Sequence, residues 1–440
     1  MQTAFRGSIF HCLADPGPHA DEAAVEHIED GLLIVEDGKV AHCGEVSELL
    51  PALAETTVVE DHSGKLIIPG MIDCHVHFSQ LDIIASYGEQ LLDWLNRYAY
   101  PAEMQFADEQ HARSVADFFL DELLRNGTTT AAVFATVFPQ SVDAIFAAAE
   151  ERNMRLIAGK VLMDEHCPEE LRDDPQSAYD DSKALIEKWH GKERLGYAIT
   201  PRFALTSSGE QLGAAGRLAA EFPDTWIHTH LAENQDEVDE IARQFPDRRS
   251  YLDVYDHYGL LRERSVFAHC LHLDETDREL MAEKGGTGAF CPTSNLFLGS
   301  GLFDLQSMTD AGVSVGLATD VGGGTSMSML QTMSEAYKIL HLQGQPLPAA
   351  RALYLATLGA AQALDLDDAI GNFESGKEAD FVVLDTAASH ITARRAATTE
   401  SLDELLFALI FLGDDRNISA TYVLGERPAS ICQASEDANR

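Results

Sequence analysis

Short apolar runs alternate with longer amphipathic stretches between about residues 69 and 370. TTTAAVFATVF, RLIAGKVLM, GYAITPRF, TWIHTHLAE, SVFAHCLHL, GTGAFCP and VSVGLATD read as buried strands. Runs of this length, rich in β-branched residues and bounded by turn residues, suit strands covered on both faces. Between them, DEQHARSVADFFLDELLRNG and SAYDDSKALIEKWHG carry helical spacing and stop near glycines. Strand–helix alternation over such a length predicts a parallel α/β sheet, closed into a barrel or doubly wound. The flanks read differently. LLIVEDGKVAHCGE has two β runs around Asp37-Gly38, a hairpin signal, and GKEADFVVLD and ISATYVLGERP return to short strands. The expected organisation is therefore residues 1–68 and 371–440 in one β domain, with an α/β domain inserted at 69–370.

Composition narrows the function. With 440 residues, 45% of them hydrophobic, the chain can bury a large core. Its 72 Asp and Glu against 31 Lys and Arg give a formal charge of -41. Such a surface repels nucleic-acid backbones and anionic membranes, so neither is an expected partner. Seven scattered cysteines without a CxxC motif suggest no disulfide framework. The N-terminal segment lacks an apolar signal core, and the longest apolar run, Leu405 to Leu412, is too short to span a bilayer. A cytoplasmic, soluble protein is expected.

The candidate chemistry sits where apolar runs stop. In PGMIDCHVHFSQ, His75 and His77 occupy alternate positions. Positions i and i+2 on a strand share one face, so both imidazoles can address one ion. His228 and His230 end a second run, His269 a third, and Asp320 a fourth. The C-terminal ends of strands form the active face of a TIM barrel, and His75 to Asp320 spans about 245 residues, the size of such a barrel.

HVH, HTHLAEN, AHC and ATD resemble the signature of the metal-dependent amidohydrolase superfamily, which implies a (β/α)8 TIM-like barrel with a small β-sandwich formed by both chain ends. HFSQLDIIASYGEQLLDWLNRYAYPAE, PRFALTSS, HLAEN and TDVGGGTSMSML resemble, within it, the guanine deaminase family. That resemblance implies hydrolysis of guanine to xanthine and ammonia by zinc-activated water. It implies one Zn²⁺ per chain on His75, His77, His230 and Asp320, and a homodimer. Glu233 is the implied proton shuttle and Asp320 a second proton acceptor. His269 is expected to hydrogen-bond the attacking oxygen or the intermediate. Arg202, Phe203 and Gln80 match purine contacts, joined by His230 and His269. Arginine suits this role because guanine offers O6 and N7 as adjacent acceptors. His228 is assigned a supporting part. His166, His257 and His272 read as surface or loop residues. Lys160 is the candidate for a bridging ligand in a two-metal variant, a reading the one-metal branch disfavours. Two other readings stay open: a deaminase of another ring, and a non-catalytic scaffold on the same barrel.

Overall fold

A computed structural model describes residues 2–88 and 90–428. Its strands are β1 (Gln2–Cys12), β2 (Val25–Glu36), β3 (Lys39–Glu45), β4 (Val58–Pro69), β5 (Met71–His77), β6 (Thr128–Phe134), β7 (Arg155–Gly159), β8 (Val161–Leu162), β9 (Leu195–Pro201), β10 (Trp226–Leu231), β11 (Ser265–His269), β12 (Thr287–Phe290), β13 (Val315–Leu317), β14 (Phe381–Leu384) and β15 (Ile418–Tyr422). Two compact units result. One takes residues through Ile72, Asp121–Thr130 and the chain from Met327; the other takes Asp73–Leu120 and Ala131–Ser326.

The first unit is the β domain built from both chain ends. Its sheet runs β15-β14-β4-β1-β2-β3. The β2–β3 hairpin turns on Asp37 and Gly38, both at positive φ (49° and 79°), as a two-residue hairpin turn that follows the strand twist demands. Alternation puts Phe5, Leu33, Ile67, Phe381 and Tyr422 in one apolar cluster. Ala4, Leu32 and Ile34 pack in another. The helices from Met329 to Ala363 belong to this unit, whereas the sequence pattern groups them with the barrel. The apolar run Leu405–Leu412 falls in the helix Leu402–Leu412, and no helix among the described residues is long and apolar enough to cross a membrane.

The other sheet is the expected parallel barrel, ordered β5-β6-β7-β9-β10-β11-β12-β13, with β8 paired to β9. Its seam is closed by backbone bonds just past the strand ends: Asp320 N–H donates to His75 O (2.9 Å) and His77 N–H to Val321 O (2.8 Å). Both helices read from the sequence form, as Glu109–Arg125 and Pro175–Trp189. The second begins on an Asp174 capping box, which satisfies amide donors that the first turn leaves open.

Candidate active site

Strand alternation brings Asp73, His75 and His77 to one face of β5, all buried. β10 supplies His228 and His230, and β11 ends on His269. Asp320 follows β13. His269 and Asp320 have positive φ (73° and 50°), a conformation that side chains with a Cβ rarely adopt. Strain of that kind persists where surrounding contacts over-determine it. Asp320 is held by the seam, and His269 Nδ1–H donates to Asn295 Oδ1 at 2.9 Å.

Four donors converge. One ligand atom from each of His75, His77, His230 and Asp320 lies within 4.8 Å of the others. His77 Nε2 is 3.2 Å from both His75 Nε2 and His230 Nε2, and Asp320 Oδ1 is 3.2 and 3.3 Å from the first two imidazoles. Outer contacts set the rings. His230 Nδ1–H donates to Arg202 O at 2.6 Å, which leaves its Nε2 lone pair facing the cluster. His75 Nδ1 meets His228 Nε2 at 2.8 Å, the supporting part expected of His228. Burial holds His75 at about 4 and pushes His77 and His230 down as well. Burial also raises the Asp320 carboxyl, but hydrogen bonds from His75 and His77 outweigh it and place the group well below the carboxylate range. Neutral imidazoles around an ionised carboxylate are the forms that bind a cation, and the set fits a zinc ion.

Beside the cluster lies an acid–base group. Glu233, in the turn after β10, is buried; burial raises its carboxyl to about 7. Its Oε1 accepts from Ser300 Oγ (3.1 Å), and its Oε2 is 3.4 Å from His269 Nε2. That nitrogen is also 3.6 Å from Asp320 Oδ2. Burial disfavours a charged His269, but Glu233 and Asp320 reverse the effect and raise its pKa.

A cavity opens over these groups. His77, His230, Glu233 and Asp320 line it together with Gln80, Arg202, Phe203, Leu91, Trp94 and Leu298. Of the residues expected from the sequence to bind metal or purine, His77, Gln80, Arg202, Phe203, His230 and Asp320 line one cavity. His75 and His269 do not line it but touch residues that do, through the contacts above. Lys160 does not join: it is buried in an ion pair with Asp173. His166 and His257 are exposed, as expected, while His272 is only partly so.

Sequence reasoning missed Asp73 and Glu103. Asp73 accepts from His75 N–H (3.2 Å), Thr319 N–H (3.0 Å) and Thr319 Oγ, and so braces both sides of the seam. Its alternation with His75 and His77 was a usable signal. Glu103 has no such periodic mark. It is completely buried against Arg202.

A metal-binding hydrolase on a parallel barrel is the class that this fold and site define. Residues 66–427 match the Amidohydrolase family, and the chain belongs to that family. Within it, the chain is 52% identical over 423 residues to guanine deaminase of Escherichia coli, covering 96% of each chain. The solved E. coli guanine deaminase superposes with a TM-score of 0.95 at 51% identity, covering 97% of this chain and 99% of that one. Guanine deaminase from C. acetobutylicum, with guanine bound in its active site, gives 0.88 at 27% identity, covering 97% and 100%.

Proposed function

We propose that this chain hydrolyses guanine to xanthine and ammonia. The observation that carries the reading is the His75–His77–His230–Asp320 cluster at the floor of a cavity that also presents Glu233 and Arg202. One Zn²⁺ would be held by those four side chains. When bound, it supplies a Lewis acid that acidifies water at neutral pH. Water adds to C2, and Glu233 takes one of its protons and returns it to the ring nitrogen beside C2. Asp320, whose Oδ2 faces His269, takes the second proton, which leaves with the amine as the C2–N bond breaks. His269, steered by Asn295, hydrogen-bonds the oxygen that has added. The family resemblance supports a homodimer with one ion per chain, which native mass spectrometry reads directly.

The first test is incubation of purified protein with guanine, following xanthine by absorbance and ammonia by a coupled assay. Absence of both products from metal-loaded protein rejects the reading, and turnover of a pyrimidine or pterin in its place would select another ring deaminase.

The pH profile follows from Glu233. The carboxylate must be unprotonated to take a proton from water, and burial raises its pKa from 4.5 to about 7. Turnover is therefore lost as pH falls through the neutral range, and the acid limb of kcat/KM lies well above 4.5. A limb centred near 4.5 would assign the transfer to a solvated carboxylate.

Arg202 is the proposed reader of O6 and N7. Adenine carries an amino donor at C6, so a guanidinium facing it leaves donors unpaired, at about 1–3 kcal/mol or more. Sites built to bond one substrate group reject analogues lacking it by about 10⁴–10⁵-fold. Arg202→Met should lower kcat/KM for guanine severely, keep the metal, and create no efficient adenine turnover. Steady-state kinetics on both purines checks this; normal guanine kinetics in the variant would remove Arg202 from recognition.

A further inference from the structure

The cavity wall at 91–104 does more than supply Leu91 and Trp94. Tyr100 and Glu103 are three residues apart on the helix Tyr100–Met104, a spacing that puts both side chains on one face. Both meet Arg202. The guanidinium carbon lies 5.3 Å from the Tyr100 ring centroid. Arg202 NH1 donates to Glu103 Oε1 at 2.8 Å and to Oε2 at 2.7 Å. Glu103 Oε1 also accepts from Gln80 Nε2 at 3.0 Å, and Gln80 Oε1 in turn accepts from Gly322 N–H at 3.3 Å. One buried carboxylate thus ties together two of the polar side chains that line the cavity, Arg202 and Gln80. No other hydrogen bond of the Arg202 side chain is found among the described residues, and Arg202 lines the cavity.

We propose that Glu103 is a positioning residue that makes the site selective for purines bearing an oxygen at C6. The inference rests on guanine being the substrate. By gripping NH1, the carboxylate fixes the plane of the guanidinium and leaves its other N–H groups for the 6-oxo group and N7. With its oxygens taken up by Arg202 and Gln80, Glu103 acts on the substrate only through them. An amide at this place cannot replace it. Glutamine offers one oxygen and one NH₂, so in either orientation Arg202 NH1 would face a donor where it now has an acceptor. The guanidinium, held by no other side-chain hydrogen bond among the described residues, then leaves its position.

The test uses 2-aminopurine, which keeps the amino group at C2 and lacks the oxygen at C6. Wild type, Glu103→Gln, Arg202→Met and the double variant are loaded with zinc and compared on both purines. The reading is kcat/KM, or the inhibition constant where 2-aminopurine is not turned over, beside thermal melting. Glu103→Gln is expected to lose on the order of 10²-fold with guanine, the scale of a misplaced contact group. It should stay within a few-fold with 2-aminopurine. The double variant should match Arg202→Met alone, because the two residues act as one unit. Equal losses on both purines, or losses that add in the double variant, overturn the proposal and leave Glu103 a wall residue. If Glu103→Gln does not fold, the double variant still decides: it removes both buried charges together, which is tolerated better than stranding one. Its guanine preference then equals that of Arg202→Met, or falls further and refutes the idea. Wild type inactive on guanine would reject the substrate reading itself; wild type active with equal losses rejects only the role of Glu103.

Discussion

Glu233→Gln is expected to lose about 10²–10⁴-fold in kcat, the usual worth of a positioned acid–base group, while its bound metal stays at the wild-type level. The substitution keeps the shape of the side chain. Ser300 can still donate to the remaining oxygen, and Glu233 is not among the four converging ligands. What is lost is the ability to hold a proton between two steps. The side chain suits that task because burial brings its pKa to about 7, so taking and giving a proton are both cheap near neutrality. The measurement is kcat together with elemental analysis of the same preparation. A variant within a few-fold of wild type takes Glu233 out of the mechanism. A variant that loses its metal shows the carboxylate serving the ion and not the proton.

Stripping the metal with a chelator is expected to abolish turnover, and one equivalent of Zn²⁺ per chain to restore it. Three buried imidazole nitrogens and a carboxylate oxygen converge with contacts of 3.2–3.3 Å. With His230 fixed as the Nδ1–H tautomer, its Nε2 has no proton to share with His77. A divalent ion takes a lone pair from each of the four donors and binds only the folded chain, so its loss should also lower the melting temperature. A ligand present at 1,000 times its Kd stabilises the native state by about 4.1 kcal/mol. Elemental analysis, activity and melting are read on apo and reloaded protein. Two ions per active chain, or full activity after demonstrated removal, would end the one-metal mechanism.

Much of this site was legible because strand geometry writes itself into sequence. His75 and His77 share a face by alternation alone, and a run that ends in a metal-competent side chain marks a barrel mouth. Asp73 obeys the same rule, but an aspartate within an apolar run also reads as a strand-end turn residue. Glu103 was not legible. Its meaning depends on a contact with Arg202, 99 positions away, and nothing in PAEMQ distinguishes a buried carboxylate from a solvated one. The helices after Met327 escaped for a related reason: amphipathic spacing says that a helix has an apolar face, not which unit receives it.

The seam couples assembly to chemistry. Its two backbone bonds join the first barrel strand to the residues after the last, and one of them is made by Asp320 itself. A nascent chain that has emerged only as far as residue 300 carries His75, His77 and His230 but no carboxylate ligand. Truncated or stalled products should therefore be chemically silent, so that competence is conferred by nearly the last piece of the barrel to be synthesised. For directed evolution, metal retention becomes a reporter of barrel closure, one that can be screened without substrate and that separates variants with a broken seam from those with a broken acid–base group.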